Sequence, residues 1–171
     1  MRPRATSVRA LGLGLLVAVV IGAGMQGCGY TISSVLPAHI QSIAIPTFAN
    51  NTVEHGLADD VTQALINGFI ADRRLRLERE RDANSVLRGT ILLYRNRVYA
   101  YTSQEVATQY EILLVLKVVF RDVVKNRDMW KEDEMTVRTT YSVPARTETD
   151  GRREVIQKLA DQIVSRTVQG W

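Results

Sequence analysis

The sequence predicts an α+β fold: a two-layer sandwich in which two amphipathic helices pack on one face of a mostly antiparallel sheet of four to five strands. Three observations carry this. Leu57, Val61, Leu65 and Phe69, and then Val155, Leu159, Ile163 and Thr167, recur at four-residue spacing, so each segment is a helix with one buried stripe. Residues 86–101 and 108–123 are rich in strand-forming residues and unusually long for strands. In the second of these, Tyr110, Ile112, Leu114, Leu116, Val118 and Phe120 share one face, whereas Gln109, Glu111, Lys117 and Arg121 fall on the other. Such a sheet buries one side and leaves the other at least partly wet.

The elements follow in order. Arg2, Arg4 and Arg9 form a basic start, and residues 11–25 form an uncharged apolar run broken by Gly12, Gly14, Gly22 and Gly24. A membrane-spanning helix needs ~20 apolar residues, so residues 1–27 read instead as a secretory signal peptide. Cys28, the only cysteine, follows directly, in the place of a bacterial lipobox cysteine that is acylated and becomes the mature N-terminus. Residues 28–39 are then a lipidated tether, and residues 40–171 a single domain.

Within the domain, residues 40–45 alternate and stop at Pro46, which predicts a first strand. Asn50, Asn51 and Thr52 offer N-cap chemistry, with Glu54 placed to reach back, for a helix over about 53–71. Leu75 and Leu77 suggest a short strand. The two long strands join through a tip at 102–107, and at ~3.4 Å per residue each reaches about 50 Å. Residues 125–128 make a second turn, and 129–141 return as a strand with Met135, Val137, Thr139 and Tyr141 in period two. Asp150 is the expected N-cap of the last helix.

Composition narrows the function. Three of the 22 basic residues lie in 1–27, which leaves 144 residues with 19 cations against 18 carboxylates. That balance speaks against a nucleic-acid surface, which carries a clear cationic excess. With Cys28 acylated, no thiol remains for a disulfide or metal site. His39 and His55 stand apart from any spaced ligand set, so no metal and no cofactor are expected. Asp59 and Asp60 are adjacent, point about 100° apart on a helix and favour its N-terminus rather than acid–base work. No serine sits in a glycine elbow, and the glycine-rich stretches fall in the signal. The protein is not expected to be an enzyme.

A series of segments then forms a recognisable order. Cys28-Gly29-Tyr30 precedes Ile43-Ala44-Ile45-Pro46-Thr47-Phe48-Ala49-Asn50-Asn51-Thr52; Ala83-Asn84-Ser85-Val86-Leu87-Arg88-Gly89-Thr90-Ile91 follows the first helix; residues 110–122, Met129-Trp130 and Tyr141 complete it. This succession resembles the lipopolysaccharide-assembly lipoprotein family LptE over essentially the whole mature chain. The resemblance implies a periplasm-facing lipoprotein anchored in the outer membrane, which assembles with and plugs the LptD β-barrel and binds lipopolysaccharide. It also implies two helices on one face of a four-stranded sheet. Gly29 after the cysteine is not the aspartate of inner-membrane retention, in keeping with outer-membrane sorting.

For the lipid ligand, strand directions place the tip at 102–107 and the loop at 142–149 at one end of the sheet. Arg95, Arg97, Arg138 and Arg146 are expected to converge there, with Tyr99 and Tyr101 beside them. Lipid A carries phosphates, which arginine binds through a planar fork of donors. The tyrosines would line acyl or sugar surface, or pack against the barrel; arginines near strand ends are also commonly only a solvated face. The competing readings are a structural cell-envelope lipoprotein without a specific lipid ligand and a periplasmic enzyme or small-ligand binder.

Overall fold

Residues 36–169 are described by a computed structural model; the signal peptide, Cys28 and the first part of the tether lie outside the described residues. The elements are β1 (Ser42–Ala44), β2 (Ala49–Asn50), α1 (Leu57–Asp72), β3 (Arg76–Leu77), β4 (Ser85–Tyr101), β5 (Ala107–Asp122), β6 (Arg127–Ser142) and α2 (Glu148–Gln169). All six strands join one sheet, in the order β3-β1-β4-β5-β6, with β2 pairing further along β4. The short strands run parallel to their neighbours, and β4–β5–β6 form an antiparallel meander. Both helices cover one face, as expected of the α+β sandwich.

The sheet has six strands rather than four or five, and the reason is local. Proline cannot continue a ladder, so the chain leaves the sheet at Pro46 and rejoins it two residues long, Ala49 opposite Thr90 and Asn50 opposite Ile91. A strand that short carries no period to read. Between the two pieces, Phe48 lies flat on β4 over Gly89; a Cβ there would sit 2.1 Å from the Phe48 ring, so only glycine fits.

Register explains the core. Leu87, Phe120 and Trp130 form one row beneath the helices; Ile91, Leu116 and Met135 form the next; Tyr94, Leu114 and Val137 a third. All six apolar residues named in β5 except Tyr110 are fully buried, and Tyr110 stacks on Tyr141 at 5.4 Å. The stripes Leu57, Val61, Leu65, Phe69 and Val155, Leu159, Ile163, Thr167 face them and are buried. At Gly151 the first turn of α2 comes so close that a Cβ would meet the Tyr141 ring at 2.7 Å.

Two capping expectations shift. The N-cap of α1 is Gly56 in a left-handed conformation, not a residue of 50–52. Asn50, at the end of β2, spends its side chain on the loop instead, donating to the Glu54 carbonyl and accepting from the Thr52 N–H and hydroxyl. In α2 the Thr147 hydroxyl accepts the Asp150 N–H while the Asp150 carboxylate accepts the Thr147 N–H. That reciprocal pair is a capping box with Thr147 as cap and Asp150 three residues inside it.

The N-terminal side of the domain is fastened to the far end of β5. His39 Nε2 lies 2.8 Å from Asp122 Oδ2, and the Asp122 side chain is fully buried. Asn84 Oδ1 accepts the Gln41 N–H and the Ser42 hydroxyl. Burial raises the Asp122 pKa, but hydrogen bonds from the Lys125 N–H and His39 outweigh it, and the carboxyl is held below its ordinary range.

Candidate ligand-binding face

Three long strands with helices on one side leave a second, uncovered face, and its residues follow from the pairing. Arg95, Leu113 and Arg138 form one row across β4, β5 and β6; Arg97, Glu111 and Thr140 form the next; Leu93, Val115 and Thr136 lie below. Further along come Thr90 beside Lys117 and the row Arg88, Val119, Lys131. The face is thus a strip of half-buried Leu and Val edged by cations.

Charge is unevenly divided between the layers. The uncovered face carries seven cations (Arg88, Arg95, Arg97, Lys117, Arg121, Lys131, Arg138) against Glu111, Asp128, Asp133 and Glu134. The two helices carry seven carboxylates against four cations. A domain with almost no net charge therefore presents one positive side.

The cations differ in how they are held. Arg97 grips Glu111 through one guanidinium nitrogen, 3.1 Å from each carboxylate oxygen, and the Glu111 side chain is only 7% exposed. Lys131 and Lys117 share Asp133, whose carboxyl they hold below its ordinary range through their hydrogen bonds. Arg88 meets Glu80, and Arg121 meets Asp128. Arg95 and Arg138 have no carboxylate partner among the described residues. They flank Leu113 two strand spacings apart, about 10 Å between backbones, so both long side chains can reach a single anion above that leucine. Guanidinium forks suit phosphate oxygens, and the Leu93–Val115 strip beside them suits an apolar chain.

Of the residues picked from sequence, Arg95, Arg97 and Arg138 come together on this face and Arg146 does not. Beyond β6 the chain turns toward the helices, where Arg146 binds Glu154 at 2.6 Å. Glu154 also takes hydrogen bonds from Lys158 and Thr139; led by Lys158, they lower its pKa to about 2. On the same side, burial and then Glu148 push the Tyr94 phenol well above its ordinary range.

Tyr99 and Tyr101 stand at the hairpin end, both about three-fifths exposed, with Val106 equally exposed across the tip. The tip is shaped rather than loose. The Thr102 hydroxyl accepts the Gln104 and Val106 N–H groups, and Glu105 takes the left-handed conformation. Arg88, Lys117, Arg121 and Lys131 also belong to the cationic face, away from the hairpin end at which the sequence groups its arginines. The alternation of β5 already put Lys117 and Arg121 opposite the core; what was missing was the register of β4 and β6.

These features define a class: a one-sided α+β domain with a broad cationic sheet face that its helices leave uncovered. The chain belongs to LptE, the lipopolysaccharide-assembly family, whose profile matches residues 40–167. It therefore takes part in lipopolysaccharide assembly and stands in a family of envelope lipoproteins rather than enzymes. No curated protein matches the chain. Among solved structures it resembles the protein XCC0632 of Xanthomonas campestris, with a TM-score of 0.57 and 10% identity over 79% of this chain and 89% of that one. It also resembles a PelC dodecamer subunit of Paraburkholderia phytofirmans (TM-score 0.51, 19% identity, 81% and 96% covered) and CT253 of Chlamydia trachomatis (0.55, 11%, 74% and 94%). At such identities the likeness is one of fold.

Proposed function

We propose that this LptE member is a lipoprotein of the outer membrane, acylated at Cys28, facing the periplasm and seated in the lumen of the LptD β-barrel, where it binds lipopolysaccharide through its uncovered sheet face. The observation that carries the ligand is the pair Arg95 and Arg138, unpartnered on either side of Leu113 in a face where other cations hold carboxylates. Both guanidiniums are exposed and hold no carboxylate among the described residues, so they are free to bind phosphate, and the strip beside them accepts acyl carbon. Arg97 joins the site through Glu111. Tyr99, Tyr101 and Val106 give the barrel an amphipathic surface at the far end of the hairpin. The protein binds and positions, and catalyses nothing.

Isolation of the lipidated protein from membranes in mild detergent, with mass spectrometry of what accompanies it, tests this. A large β-barrel and lipopolysaccharide should both co-purify. Recovery of the barrel without lipopolysaccharide would reduce the role to plugging. Recovery of neither would leave a structural envelope lipoprotein.

A further inference from the structure

We infer that the uncovered face holds a second anion station, in a notch beside Arg88 and Lys117, and that the ligand it takes is a glycolipid headgroup phosphorylated at both ends. The inference rests on the lipopolysaccharide reading above and adds which part of that molecule is recognised, and at how many points.

The first observation is a cavity. β1 leaves β4 at Val86 and β2 rejoins it at Thr90, so the chain bows away between them at Pro46. The bow leaves a depression of about 320 Å³ in the uncovered face. Pro46 and Thr47 wall it, and half-buried Thr90 and Val119 line it between exposed Arg88 and Lys117. The wall is fixed from the helix side. There the Phe48 ring lies over Gly89, and the Phe48 N–H donates to the Thr62 hydroxyl of α1 at 3.1 Å. A ligand entering the notch therefore finds it already formed.

The second observation is how its cations are held. Arg88 meets Glu80, and Lys117 meets Asp133 at 3.2 Å, a carboxylate it shares with Lys131. Glu80 and Asp133 are themselves 49% and 61% exposed. Exposed pairs of this kind are weak, so a phosphate, with more charge and more acceptor oxygens, displaces the carboxylates.

The third observation is spacing. Arg95 and Arg138 flank Leu113, four residues from Lys117 along β5. At ~3.4 Å per residue the two stations stand about 14 Å apart, with the Leu93–Val115 strip between them. Directly joined phosphates do not bridge that distance. A pair of sugars with a phosphate at each end does, and its apolar ring faces and first acyl carbons fall on the strip.

The test compares lipid A carrying both phosphates with its monophosphoryl form of the same acylation, each titrated with the lipidated protein in detergent at fixed ionic strength. Arg95 and Arg138 have no carboxylate to release among the described residues, so a lone phosphate goes to them and the second phosphate adds the notch. The parent should prefer the bisphosphoryl form roughly tenfold. Arg88→Gln/Lys117→Gln should bring the two affinities together, whereas Lys117→Arg and the helix-layer control Arg153→Gln should keep the preference. Equal affinity of the parent for both forms overturns the second station and leaves lipopolysaccharide binding standing. A preference that survives Arg88→Gln/Lys117→Gln overturns its place in the notch, and one lost equally in Arg153→Gln replaces the station with diffuse attraction. Failure of the parent to bind either form overturns the lipopolysaccharide reading and the second station together.

Discussion

Glu111 is a carboxylate almost wholly removed from water on a face that no helix covers, and Arg97 is what removes it. Arg97→Ala therefore does more than delete a candidate phosphate ligand, because it strands a buried charge. A buried group left unsatisfied costs about 1–3 kcal/mol, and Arg97, 56% exposed, keeps water close enough to hold the loss within that range. Chemical denaturation should show Arg97→Ala less stable than the parent and Arg97→Ala/Glu111→Gln substantially recovered; equal stability of both variants would mean the pair is only a surface contact. Glu154 offers a second test at this scale. Its folded pKa of about 2 lies below the ordinary carboxylate value of 4.5, so its stabilising effect is fully present above about pH 4.5 and fades as pH falls toward 2. Glu154→Gln should be less stable than the parent at pH 7, with the gap closing as unfolding is followed from pH 5 down to pH 2. A gap unchanged over that interval would show that the Lys158–Thr139–Arg146 cluster does not favour the charged carboxylate.

The long strands are the elements that make the face, and β5 was the most legible of them because it is central and unbroken. Its strict alternation let Leu114, Leu116 and Phe120 be assigned beneath the helices, where all three are fully buried. Removing such a side chain leaves a cavity worth ~2–5 kcal/mol, so Leu116→Ala should lower the unfolding midpoint markedly, and a variant melting like the parent would refute the face assignment. The flanking strands were harder to read. In β4 the ladder skips between Ile91 and Leu93, so odd residues face the helices before the bulge and even ones after it. In β6 a similar shift separates Glu132 from Met135, which is why Met135, Val137 and Tyr141 were readable in period two and Trp130, on the other side of the break, follows a different parity. A parity change leaves no mark in composition. The same limit explains Arg146: a residue four beyond a strand end was grouped with the strand arginines, but the turn carries it to the helix layer and to Glu154. Arg95, Arg97 and Arg138 could be grouped because strand direction alone brings them level.

Across the whole molecule the helices take the carboxylate excess and the open sheet takes the cations, a division that net charge conceals. An anionic amphiphile meets favourable potential and apolar surface on only one side of the domain. Charge-matched controls follow from the same geometry. Arg152 is unsuitable, since it ties α2 to α1 through Asp60 and the His55 carbonyl, whereas Arg153 is 74% exposed on the helix layer. The most direct test is lipopolysaccharide binding by the lipidated protein in detergent, comparing the parent with the single variants Arg95→Ala, Arg138→Ala and Arg153→Ala at fixed ionic strength. A charge-assisted hydrogen bond is worth ~1.5–3 kcal/mol, so Arg95→Ala and Arg138→Ala should each lose roughly 10- to 100-fold in affinity while Arg153→Ala binds as the parent does. Equal losses in all three variants, or undiminished binding by both Arg95→Ala and Arg138→Ala, would contradict a phosphate site on the uncovered sheet.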